Sequence, residues 1–183
     1  MHRYGAILHT VENRQKARNE GEVLTLPLKP LKDDKMILKL IGGNNPKLKT
    51  KVTLQDPAKA LAIGKHMIGF AMKHSCLGLA AVQFGVMERV CIVNLDGTWR
   101  IFVDPKIETR SGSQISPQEG CLTWPKKRGD IKRPTHITVT HTEVKEIMDT
   151  RVLETFEGFQ AIQMEHEIDH LDGIRCIDKF ILT

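Results

Sequence analysis

The stretch His166-Glu167-Ile168-Asp169-His170 lies on a run with helical apolar spacing, thirteen residues before the end of a 183-residue chain. An α-helix rises about 1.5 Å per residue and turns every 3.6 residues, so His166 and His170 project from one face about 6 Å apart. Two imidazoles so placed can bind one metal ion, with Glu167 beside them as a proton acceptor. The same spacing also arises by chance on solvated helices. Phe159 and Ile162 stand seven and four residues before His166, which puts the histidines on the face expected to be buried. Imidazoles buried without partners are costly, so this pattern requires a core helix with chemistry on its inner side.

Two histidines need a further protein ligand. No Glu and no third His follows His170, so that ligand must come from upstream. The four cysteines, Cys76, Cys91, Cys121 and Cys176, show no paired spacing. The N-terminus lacks the apolar core of a secretory signal. Together these favour a reducing compartment, where a Cys packs, ligates or attacks rather than cross-links. Cys121 stands out because Glu119-Gly120-Cys121-Leu122-Thr123-Trp124-Pro125 reads as a turn entering a strand. A thiolate with two imidazoles leaves one coordination position open for water, as a catalytic site requires.

Around this helix the chain reads as α+β. Asp56 is a candidate N-cap and Pro57 suits the first turn of a helix ending near Cys76-Leu77-Gly78. Strand-like runs follow at Arg89 to Asn94, Trp99 to Val103 and His136 to His141, with Asp96-Gly97 as a turn. The second helix is expected from near Thr155 to about Leu171, stopped by Asp172-Gly173. The fold expected is antiparallel or mixed strands packed around a central C-terminal metal-binding helix, plus an N-terminal helix. Residues 1–35 are mostly polar, with Pro27 and Pro30 near their end, and read as an extension of uncertain order before a catalytic domain at 36–183. Glu12, Glu20 and Glu22 argue against a transit peptide. The formal charge of +5 is modest. Its densest cluster, Lys126-Lys127-Arg128, is too short for a nucleic-acid footprint, and no apolar run could span a membrane. The expectation is a cytoplasmic protein with no specific nucleic-acid binding.

Three stretches resemble the signature motifs of peptide deformylases, in the family's order. Gly78-Leu79-Ala80-Ala81-Val82-Gln83 is similar to G-Φ-G-Φ-A-A-x-Q, and Glu119-Gly120-Cys121-Leu122-Thr123 to E-G-C-L-S. His166 to Gly173 is similar to H-E-x-D-H-L-x-G, and the resemblance covers roughly Met36 to Phe180. It implies a hydrolase that removes the formyl group from the N-terminal formyl-methionine of polypeptides emerging from the ribosome, releasing formate, and working as a monomer. It also implies one divalent metal ion, Fe(II) in preference to Zn(II), Ni(II) or Co(II), held by Cys121, His166 and His170. Glu167 would move the proton, and the Gln83 amide and Leu122 N–H would steady the developing oxyanion. Gly78, Gly120, Phe159, Ile162 and Arg128 would bind substrate. Arg133 and Asp169 match positions that would pair and steady the metal helix.

Some residues depart from the family pattern. Cys76 stands near the first motif where Gly is usual, Thr123 replaces Ser, Glu165 replaces Gln, and Gln163 is more polar than the methionine pocket usually carries. The chain also lacks the C-terminal helix of many bacterial members. Two other readings fit parts of the pattern. A metallopeptidase or amidase would use the same helix on internal bonds but needs a downstream ligand. A non-catalytic binding protein would not be expected to keep Gln83, Cys121, His166, Glu167 and His170 together.

Overall fold

A computed structural model describes residues 36–145 and 148–181. The expected N-terminal extension, residues 1–35, lies outside them. The first long helix, α1 (Pro57–His74), starts where the sequence indicates: the Asp56 carboxylate accepts from the N–H groups of Ala58 and Lys59 at 2.9 and 3.1 Å. It stops at Ser75, whose φ of 50° is left-handed, slightly before the expected end.

Seven strands follow: β1 (Gly78–Ala80), β2 (Val90–Leu95), β3 (Thr98–Ser111), β4 (Gln114–Gly120), β5 (Arg128–Arg133), β6 (His136–Glu143) and β7 (Thr150–Glu157). Then comes α2 (Gly158–Leu171). Five strands form one sheet in the order β1-β2-β3-β6-β7, β4 and β5 form a second, and every strand pair is antiparallel. β2 and β3 are joined through Asp96-Gly97 with φ of 51° and 90°, the doubly left-handed pair that matches strand twist in a two-residue hairpin.

The larger sheet lies between the two helices. Val90 and Ile92 of β2 pack with Ile63 and Met67 of α1, while Cys91 and Val93 pack with Met164 and Ile168 of α2. Both faces of β2 are therefore buried, which is why it reads as an unbroken apolar run rather than an alternation. The buried Arg89 guanidinium fastens α2 to this sheet. It donates to the carbonyls of Leu171 (3.2 Å) and Val52 (3.0 Å) and to Pro105 O at 2.7 Å from β3. A cation at the helix C-terminus also suits the helix dipole.

Two expectations need correction. Thr155 is not in a helix: residues Thr150–Glu157 form β7, and Gly158, at φ 53°, turns the chain into α2. β7 is a sheet edge with only Phe156 buried, so its apolar alternation is faint. β3 runs well beyond Val103, because its last residues are exposed and polar and carry no apolar signal. The turn expected around Cys121 is present and leads into β5: β4 ends at Gly120, and Cys121 opens the turn, with Trp124 N–H donating to its carbonyl at 3.0 Å.

Ile168 sits between the two histidines but points to the opposite, apolar side of α2, where it is 1 % exposed. Ile168→Ala is expected to destabilise the fold by about 2–5 kcal/mol, read as a lowered urea midpoint with an unchanged slope.

Candidate metal centre

For a buried helix α2 is unusually polar: Gln163, Glu165, Glu167, Asp169 and His170 are all buried. Each such group left unpaired would cost about 1–3 kcal/mol, so their partners define the site. Gln163 Nε2 donates to Asn94 O at 3.2 Å. His166 Nδ1 meets Glu119 Oε1 at 2.6 Å. That contact gives the proton to Nδ1 and leaves Nε2 as the free donor atom, the arrangement by which carboxylates orient metal-binding histidines. Glu119 is gripped in turn by Arg133, through Nη2 at 2.6 Å and Nε at 3.2 Å. Arg133 Nη1 reaches Asp169 Oδ2 at 2.5 Å, so the expected Arg133–Asp169 pair forms.

Glu119 owes its aim to a bulge. Ser116 pairs with Ile131 and Glu119 with Gly129, so β4 spends three steps where β5 spends two. The extra residue, in the Pro117-Gln118 stretch where Gln118 has φ 50°, puts Glu119 on the same side as buried Ser116. The turn after Gly120 then presents Cys121, whose Sγ lies 3.3 Å from His170 Nε2. One ligand atom each from Cys121, His166 and His170 fits within 4.8 Å of one another.

The electrostatics favour positive charge here. A hydrogen bond from Cys176, followed by those from His166 and His170, holds the Cys121 thiol far below the usual range. Burial depresses His166, but Cys121 and Glu119 outweigh it and raise the imidazole to about 10. Glu119 is lowered to about 2 because His166 and Arg133 overcome its burial. A soft thiolate with two imidazoles, in surroundings that stabilise a cation, suits a transition-metal ion.

Glu167 differs from the other acids. Burial first of all pushes its carboxyl up to about 7, and its Oε2 has no protein partner among the described residues. A Cβ on Gly78 would lie 2.5 Å from Glu167 Oε1, so only glycine leaves room for this carboxylate. Gln83 accepts from Ala80 N–H at 2.8 Å and directs its Nε2 to Thr123 Oγ1 (3.0 Å) and Cys121 Sγ (3.3 Å). Thr123 thus provides the hydroxyl that Gln83 needs.

These groups face a cavity of about 440 Å³. Of the eleven residues expected to bind metal, catalyse or bind substrate, ten line it: Gly78, Gln83, Gly120, Cys121, Leu122, Arg128, Phe159, Ile162, His166 and Glu167. His170 lies behind them, 1 % exposed and stacked at 15° to the Trp124 ring. Phe159 corrects the expected buried face. It is 60 % exposed, so the histidine side of α2 opens onto a cleft rather than packing shut. Sequence reasoning assigned no role to Glu119 or Cys176. Glu119 lay inside a quoted motif, but its pairing with His166 spans 47 residues and leaves no local trace.

Comparison with known proteins bears on the family and the fold. A family profile described as polypeptide deformylase matches residues 37–182. A peptide deformylase from Natranaerobius thermophilus is 33 % identical over 149 residues, covering 78 % of this chain and 92 % of that protein. The crystal structure of peptide deformylase from Thermotoga maritima superposes with a TM-score of 0.72 at 25 % identity, covering 80 % of this chain and 99 % of that one. A class I type b peptide deformylase from Acinetobacter baumannii gives 0.70 at 25 % identity, covering 78 % and 98 %.

Glu119→Gln keeps the shape but removes the charge behind His166. It is expected to weaken metal affinity by about 10–100-fold, measured by competition with a chelator.

Proposed function

Because this chain belongs to the peptide deformylase family, metal-dependent hydrolases that remove the N-formyl group from nascent polypeptides, we propose that Cys121, His166 and His170 hold its metal ion and that Glu167 is its acid–base residue. The observation that carries this reading is the convergence of three ligand atoms within 4.8 Å beside a buried, unpaired Glu167 oxygen. A bound divalent cation supplies Lewis acidity there, acidifying water and polarising a carbonyl. The donor set suits Fe(II), Zn(II), Co(II) or Ni(II), and the family resemblance favours Fe(II).

The chain's own groups do the rest. Water oxygen bonds to the formyl carbon while Glu167 takes the proton. The C–N bond then breaks, and Glu167 passes that proton to the leaving nitrogen, yielding formate and a free α-amino group. Negative charge develops on the formyl oxygen. The Gln83 amide and the Leu122 N–H are its donors. Leu122 N–H meets no protein acceptor among the described residues and its residue lines the cavity, which supports this assignment. Phe159 and Ile162 form the apolar wall for the methionine side chain, and Gly120 and Arg128, which line the same cavity, bind substrate beside them. β1 is the outer strand of its sheet, so Gly78 offers free backbone to an extended peptide, which adds as a further strand.

Residues 36–183 form the catalytic unit in this reading, and residues 1–35 an extension outside the reaction. The protein works as a cytoplasmic monomer on formyl-methionyl chains leaving the ribosome. No helix among the described residues is long and apolar enough to cross a membrane.

Fe(II)- or Ni(II)-loaded protein is expected to release formate from formyl-Met-Ala-Ser, and a chelator to abolish this until metal is restored. No release in either metal form would overturn the reading. Glu167→Gln should lower kcat by about 100-fold or more while keeping one metal ion per chain. Gly78→Ala displaces the same carboxylate and should lower kcat with the metal content unchanged.

A further inference from the structure

The polar cluster behind His166 holds more carboxylates than its central cation can answer. Glu119, Glu165 and Asp169 all contact Arg133, whose side chain is fully buried. Asp169 has a second partner in Lys179, at 2.8 Å. Glu119 has His166. Glu165, with its side chain only 5 % exposed, has Arg110, whose Nε reaches its Oε1 at 2.8 Å from the far part of β3. The other oxygen of Glu165 takes Arg133 Nη1 at 3.2 Å, the nitrogen that also serves Asp169.

We propose that Arg110 is a positioning residue for His166: by answering Glu165 it leaves the Arg133 guanidinium seated on Glu119, which holds the imidazole in place. The coupling runs through shared atoms. Glu119 Oε1 receives both Arg133 Nη2 and His166 Nδ1, each at 2.6 Å, so any shift of the guanidinium reaches the imidazole directly. Without Arg110, Glu165 keeps a buried charge whose one remaining partner is Arg133. A buried carboxylate short of partners draws the nearest cation toward itself. Arg133 then turns toward the Glu165 side, and its contact with Glu119 lengthens. Arg110 neither lines the cavity nor belongs to the ligand cluster, so its effect on the site passes through Glu165 and Arg133.

The inference rests on the reading of His166 as a metal ligand, and the test separates the two. Ni(II)-loaded protein is chased with excess chelator, and the rate of metal release is followed beside the thermal midpoint and the KM for formyl-Met-Ala-Ser. Arg110→Gln is expected to release metal about 10-fold faster with KM unchanged. Adding Glu165→Gln removes the unanswered charge and is expected to restore slow release, as is Arg110→Lys, which retains a cation. Release from Arg110→Gln as slow as from the wild type overturns the inference. So does a double variant that releases metal as fast as the single one, which would make Arg110 a plain structural contact. A wild-type chain that takes up no Ni(II) brings down both readings, whereas normal uptake with unaltered release in Arg110→Gln brings down this one alone.

Discussion

Everything near the site depends on one buried guanidinium. Arg133, from the end of β5, joins Glu119 of β4 to Glu165 and Asp169 of α2, and so fixes the small sheet to the helix. The two sheets share no strand pairing, and this polar clamp sets how the Cys121 turn faces the histidines. Burying such a group is defensible only when its donors are used with good geometry, because a charge stripped of partners in the interior is strongly destabilising. Nε and Nη2 take Glu119, and Nη1 takes the two acids of α2. One side chain thereby orients an imidazole that it never touches.

The rest of the fold holds α2 still. Its apolar side is packed by β2 and β6, its C-terminus is tied to β3 through Arg89, and its polar side is clamped by Arg133. A helix held along its apolar side, at its C-terminus and by Arg133, with only its cavity face open, can present two histidines and a glutamate with little freedom, and such preorganisation is what a hydrolytic site needs from its scaffold. Left-handed residues mark both approaches to the site: Gln118 stands before the Cys121 turn, and Gly158, where glycine takes that conformation freely, opens α2.

The sequence disclosed the site better than the scaffold. His166, Glu167 and His170 were legible as a cluster because helical spacing alone puts them together, and Cys121 as a candidate to join them because no Glu or third His follows His170. α1 was legible from Asp56-Pro57 and its apolar period. β7 was misread as helix, since an edge strand buries too little to alternate clearly. The bulge at Pro117-Gln118 and the reach of Arg110 to Glu165 were not legible at all. Both depend on pairing between distant segments, and no local propensity encodes that. Glu165 stood out as a departure from the family pattern, but only the folded chain revealed the two arginines that answer it.

β1 is three residues long, with one side bound to β2 and the other at the border of its sheet. So short a border is a poor template for permanent strand addition, which guards the protein against self-assembly. A peptide adding to β1, as proposed, would be limited by the same brevity to a few main-chain hydrogen bonds. Those bonds are common to every polypeptide, so the grip is indifferent to what the downstream residues are and weak enough to let go. For an enzyme that must process the leading end of many different proteins in turn, indiscriminate and fleeting capture is the useful kind.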